Sequence, residues 1–156
     1  MEMGKPNEHH KKLETMVGNW SGEETMHPSP WCPDTTKAKS RVVTKMDLDG
    51  FFLVTDYVQE KDGKVSYRGH GVYGWDGFKK YFTMHWFDSM GCDPGAPAVG
   101  TWEGNRLSFQ SKHEMGHGRY TYEFVGKDSY TFKLEHSQDG KSWMPFMDAT
   151  YKRAGK

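Results

Sequence analysis

An all-β fold, a single antiparallel up-and-down barrel of about ten strands behind one short helix, is what this sequence predicts. Three observations carry the prediction. Four Asp-Gly pairs, at 49–50, 62–63, 76–77 and 139–140, each stand between stretches that alternate polar and apolar residues. Asp-Gly in that setting signals a tight hairpin, because both residues tolerate the positive φ such turns need. Alternation at period two continues through nearly every stretch after residue 18, as expected of strands with one buried face. A meander of this length leaves two raw sheet edges unless it closes, and a barrel closes it. At 156 residues the whole chain, 1–156, is expected to form one domain.

Residues 7–17 predict a short amphipathic helix, with Leu13, Met16 and Val17 on one stripe and Gly18 ending it. Its paired histidines, His9 and His10, read as exposed. Strands are predicted at 19–26, 38–48, 51–59, 64–75, 78–88, 97–103, 106–113, 118–125, 129–136 and 143–152. The longer connections are 27–37, with Pro28, Pro30 and Pro33, and 89–96.

Turn geometry then sets the registers. A two-residue turn at Asp62-Gly63 faces Asp56 to Gly69, Val54 to Gly71 and Phe52 to Tyr73. One at Asp76-Gly77 faces Gly69 to Met84 and Tyr67 to Trp86. One at Asp139-Gly140 faces His136 to Trp143 and Phe132 to Met147. At Asp49-Gly50 a three-residue loop, 48–50, is needed to keep Val42 and Met46 on the same face as Phe52 and Val54. Facing His113 to Gly118 aligns Leu107 and Phe109 with Tyr120, Tyr122 and Phe124 on the apolar side. A turn at 126–128 faces His136 to Gly118 and Leu134 to Tyr120.

The face predicted to point inward carries Trp20, Gly22, Glu24 and Met26, then Val42 and Met46, then Phe52, Val54 and Asp56. It continues with Tyr67, Gly69, Gly71 and Tyr73, and with Phe82, Met84, Trp86 and Asp88. The later strands add Trp102, Phe109, His113, Tyr120, Tyr122, Phe132, His136, Trp143 and Met147. Odd-numbered strands of a meander run one way, so Glu24, Asp56, Asp88, His113 and His136 are expected near one end. Gly69 and Gly71 are expected to leave room on one wall.

The chain has no isoleucine, 10 methionines, 6 tryptophans, 8 tyrosines and 9 phenylalanines. Rings are stiff and line cavities, and methionine adapts to irregular gaps. The expected function is therefore binding of a small, mostly apolar, aromatic molecule inside the barrel. Candidate binding residues are Glu24, Tyr67, Trp86, Asp88, His113, Tyr120, Tyr122, His136, Trp143 and Met147. The competing class is an enzyme doing acid–base chemistry of the cyclisation or isomerisation type, with Asp56 or Asp88 acting with His113 or His136. A plainer reading makes the rings a solid core and the acids hydrogen-bond acceptors for tyrosine and tryptophan. His113 and His136 are also the candidate metal ligands, needing His27, Cys32, Cys92, His117 or Glu24 to complete a set.

A net charge of zero, with 21 basic and 21 acidic residues, argues against nucleic acid or an acidic membrane as partner. A homodimer stays open. The first residues carry no apolar run, and two cysteines make no disulfide framework, so a cytoplasmic location with free thiols is expected.

Two segments carry a family resemblance. One is His10-Lys-Lys-Leu13 through Val17-Gly-Asn-Trp20-Ser-Gly22. The other is Gly69-His-Gly71-Val-Tyr-Gly74-Trp-Asp76, running on to Trp86-Phe-Asp88-Ser-Met. With Gly50-Phe-Phe-Leu-Val, they resemble the bacterial family known as domain of unknown function 1579. The resemblance implies a calycin, or lipocalin-like, barrel and no particular reaction. Gly-x-Trp at the first strand is similar, more distantly, to lipocalins and haem-binding nitrobindins, where this tryptophan packs at one end. Haem would require an inward axial histidine, for which His113 and His136 are the candidates.

Overall fold

The computed structural model describes residues 4–30 and 32–154. Helix α1 spans Glu8–Leu13 and passes into a 3-10 turn, Glu14–Met16. Ten strands follow: β1 Gly18–Met26, β2 Thr36–Asp47, β3 Phe52–Lys61, β4 Lys64–Asp76 and β5 Tyr81–Asp88. The remainder are β6 Ala98–Glu103, β7 Arg106–His113, β8 Gly116–Val125, β9 Ser129–Ser137 and β10 Met144–Arg153. Each pairs antiparallel with its neighbours in sequence, and β1 pairs with β10, closing the barrel. Closure satisfies both edges of the sheet.

The helix plugs one end. Asn7 caps it, its side chain accepting the His9 N–H at 2.9 Å, and Leu13 and Met16 are buried beneath it. Trp20 is buried on β1 and donates its indole N–H to the Met16 carbonyl at 2.9 Å, while the Arg153 guanidinium lies over its ring. The helix histidines are not the exposed pair expected. His10 is buried, and His9 stacks on Trp75 with ring centroids 3.7 Å apart.

The Asp-Gly pairs do different jobs. Asp62 and Gly63 both have positive φ and join Lys61 to Lys64 as a tight turn. Asp76 instead accepts the N–H groups of Phe78 and Lys79 on its side chain, and the loop runs to Tyr81. Asp139 does the same for Lys141 and Ser142. These longer loops slide β4 against β5 so that Trp86 faces Gly71 and Met84 faces Tyr73. Met147 likewise faces Leu134 rather than Phe132. In β10 an irregularity between Pro145 and Met147 makes the offset odd at Met144, which faces His136 in place of Trp143. The slips at Met147 and between β4 and β5 are even and keep the expected faces. Similarly, Ser111 rather than His113 faces Gly118, and the faces of β7 are unchanged.

Strand β3 departs from the expectation. Its inward residues are Leu53, Thr55, Tyr57 and Gln59, while Phe52, Val54 and Asp56 point outward. The cause is a bulge just past the turn. Gln59 faces Tyr67 but Glu60 faces Val65, leaving Ser66 as the extra residue. Its hydroxyl donates to the Gln59 carbonyl at 3.3 Å. One inserted residue exchanges the faces of β3 upstream of it. Met46 accordingly faces Leu53, the pairing that a two-residue turn at Asp49-Gly50 implies.

Candidate functional site

A cavity of about 490 Å³ occupies the barrel interior. Met16, Tyr73 and Tyr130 lie toward the plugged end, and Lys61, Asp88, Met90 and Phe146 toward the other. Between them the wall is mostly rings: Tyr57, Tyr67, Trp86, Tyr120, Tyr122, Phe132 and Tyr151. Methionines 26, 84 and 147 fill the spaces between the rings.

Inward glycines set how the rings lie. A Cβ on Gly69 would overlap the Trp86 ring, and one on Gly71 would meet it at 3.0 Å. The glycine gap is thus not empty, because the Trp86 indole lies across it. Tyr151 covers Gly22 and Phe109 covers Gly100 in the same manner, each from the paired position on a neighbouring strand.

Two carboxylates anchor the polar contacts. Glu24 is 1% exposed and accepts from the Tyr57 hydroxyl at 2.5 Å, the Tyr151 hydroxyl at 2.7 Å and the Gln59 amide at 2.9 Å. Asp88 accepts from the Tyr67 hydroxyl at 2.7 Å and the Met90 N–H at 3.0 Å. Tyr67 in turn accepts the Trp86 indole N–H at 2.7 Å. Deeper in, the Tyr73 and Tyr122 hydroxyls lie 2.8 Å apart. Burial, with the Glu24 charge added, pushes the Tyr57 and Tyr151 phenols far up, and burial pushes Tyr73 up to about 12.

Of the residues the sequence singles out, Tyr67, Trp86, Asp88, Tyr120, Tyr122 and Met147 line this cavity. Glu24 sits behind Tyr57 and Tyr151. Asp56 does not belong to the site: it is on the outer face, 2.8 Å from the His70 ring. Trp143 also lies outside, in the loop before β10, where the Arg119 guanidinium covers its ring. His113 and His136 come together, with ring centroids 6.3 Å apart, but away from the cavity wall and beside Gly116 rather than Gly118. Tyr57 and Gln59 are hidden from sequence reasoning by the bulge in β4. Tyr151 is within its reach, being on the same face of β10 as Met147.

Among the described residues no three His, Cys, Asp or Glu side chains converge as a metal would need. His27 is engaged by Asp148 at 2.5 Å, and Cys32 and Cys92 are exposed free thiols. No histidine among the described residues lines the cavity, so the interior does not fit an axial histidine for haem. A second, broad depression is lined largely by charged and polar residues, among them the ion pairs Arg119–Glu135 and Arg106–Glu123. No helix among the described residues is long and apolar enough to cross a membrane.

The family described as protein of unknown function (DUF1579) matches residues 5–153. No curated protein matches the chain. Among solved structures, Rv2717c from M. tuberculosis superposes with a TM-score of 0.71 at 14% identity, over 96% of this chain and 99% of that one. The S-type phycobiliprotein lyase CPES from Guillardia theta also gives 0.71, at 9% identity, over 95% and 93%. At such identities these two show a shared barrel fold.

Proposed function

We propose that this chain, which belongs to the DUF1579 family, binds a small, mostly apolar, ring-bearing molecule inside its barrel. The observation that carries the reading is the ring-walled cavity of about 490 Å³. That volume lies within the roughly 300–1,000 Å³ of small-molecule sites and is too large for a core of interdigitating rings. A few polar groups, Asp88 and Tyr67 foremost, would orient the ligand near the mouth.

Native mass spectrometry of freshly purified protein tests this directly. A retained mass of a few hundred daltons, lost on mild denaturation, is expected. Substituting Leu134→Trp should fill the wall and abolish retention while the barrel stays folded by circular dichroism. Retention unchanged in that variant would place the ligand elsewhere.

The enzymatic alternative now rests on Asp88 alone among the acids first considered, since Asp56 faces solvent. Asp88 is hydrogen-bonded to Tyr67 and Met90 rather than to either histidine. Binding is therefore the better supported reading.

A further inference from the structure

We propose that the cavity selects an aromatic ligand bearing a protonated amine, held with its ammonium at Asp88 and its ring against Trp86. This rests on the reading of the cavity as a binding site and adds the charge and polarity of the occupant.

The phenol, indole and amide donors around Glu24 and Asp88 are already taken. Tyr57 and Tyr151 direct their hydroxyl hydrogens to Glu24, and Tyr67 directs its own to Asp88. The Trp86 N–H is taken by Tyr67, and the Gln59 amide by Glu24. What these groups leave facing a ligand is acceptor oxygen and the faces of the rings.

Asp88 has capacity to spare. A carboxylate offers about four acceptor sites, and the Tyr67 hydroxyl and Met90 N–H take two. An ammonium there would gain charge-assisted hydrogen bonds, and the neighbouring Trp86 face attracts cations further. Among the described residues the one cationic side chain lining the cavity is Lys61, at the end of β3 near the mouth. Its charge opposes this preference and supplies the rival outcome, an anionic ligand.

Calorimetric titration with three probes sharing one naphthalene ring separates the possibilities: 2-naphthylmethylammonium, the neutral 2-naphthylmethyl methyl ether, and 2-naphthylacetate. The cation should bind about tenfold tighter than the ether, and the acetate weakest. Asp88→Asn should erase most of the cation's advantage over the ether. Lys61→Ala should strengthen cation binding. Equal binding of ether and cation overturns the inference and leaves the cavity reading intact. Tightest binding by the acetate, lost in Lys61→Ala, overturns it in favour of an anion. Binding of none of the three defeats both readings. The order of the probes in the unaltered protein decides the question even if Asp88→Asn does not fold.

Discussion

Glu24 shows what a single residue contributes here. Its carboxylate takes three hydrogen bonds in a position 1% exposed, one from adjoining β10 and two from β3, which reaches it over β2. Replacing it with leucine strands all three donors, each costing about 1–3 kcal/mol when left unsatisfied in the interior. Urea denaturation of Glu24→Leu should therefore show a loss of about 3 kcal/mol or more, and Tyr57→Phe a smaller one, on the order of 1 kcal/mol. Equal losses would mean that Glu24 is not the hub of this network. Trp86 makes a second case. Because its ring covers Gly69 at a distance no Cβ can share, Gly69→Ala should destabilise by about 1–3 kcal/mol and displace the indole, changing its fluorescence. Gly71→Ala, with more space, should cost less.

At the scale of elements, turns decide how far the sequence can be read. The strand count and the helix follow from periodicity. The register of β8 against β9 follows from its turn, and the structure has His136 facing Gly118 and Leu134 facing Tyr120. Asp-Gly misleads where aspartate uses its side chain instead of a positive φ, as at Asp76 and Asp139. The slip at Asp76 is even and costs only the pairing, whereas past Asp139 the irregularity between Pro145 and Met147 sets Met144, not Trp143, opposite His136. The bulge at Ser66 is odd, and it exchanges Asp56 for Tyr57 on the inner wall. Nothing in a polar stretch such as Lys64-Val-Ser66 announces an extra residue. Yet the conflict at Asp49-Gly50 points to it, since the register of a simple turn there is the one observed. Deleting Ser66 should force β3 to shift face or the hairpin to distort. A loss of folding cooperativity in denaturant, beyond what Ser66→Ala causes, is the expected outcome.

For the whole molecule, the buried phenols predict the response to alkali. Tyr73, Tyr57, Tyr67, Tyr122, Tyr130 and Tyr151 all have their pKa raised, chiefly by burial. The folded state then holds protons that the unfolded chain releases near pH 10. Stability from these groups is complete below about pH 10 and falls as pH rises toward the folded-state values. Phenolate absorbance should accordingly rise together with loss of near-ultraviolet circular dichroism. Free titration of these tyrosines at pH 10 in a folded barrel would contradict their burial. Whether the interior admits a ligand is the central question for the molecule. The most direct measurement is calorimetry of 2-naphthylmethyl methyl ether against the native protein and Leu134→Trp. Saturable one-to-one binding to the native barrel, abolished in the filled one, is predicted. Absence of binding to the native protein, or equal binding to both, would contradict it.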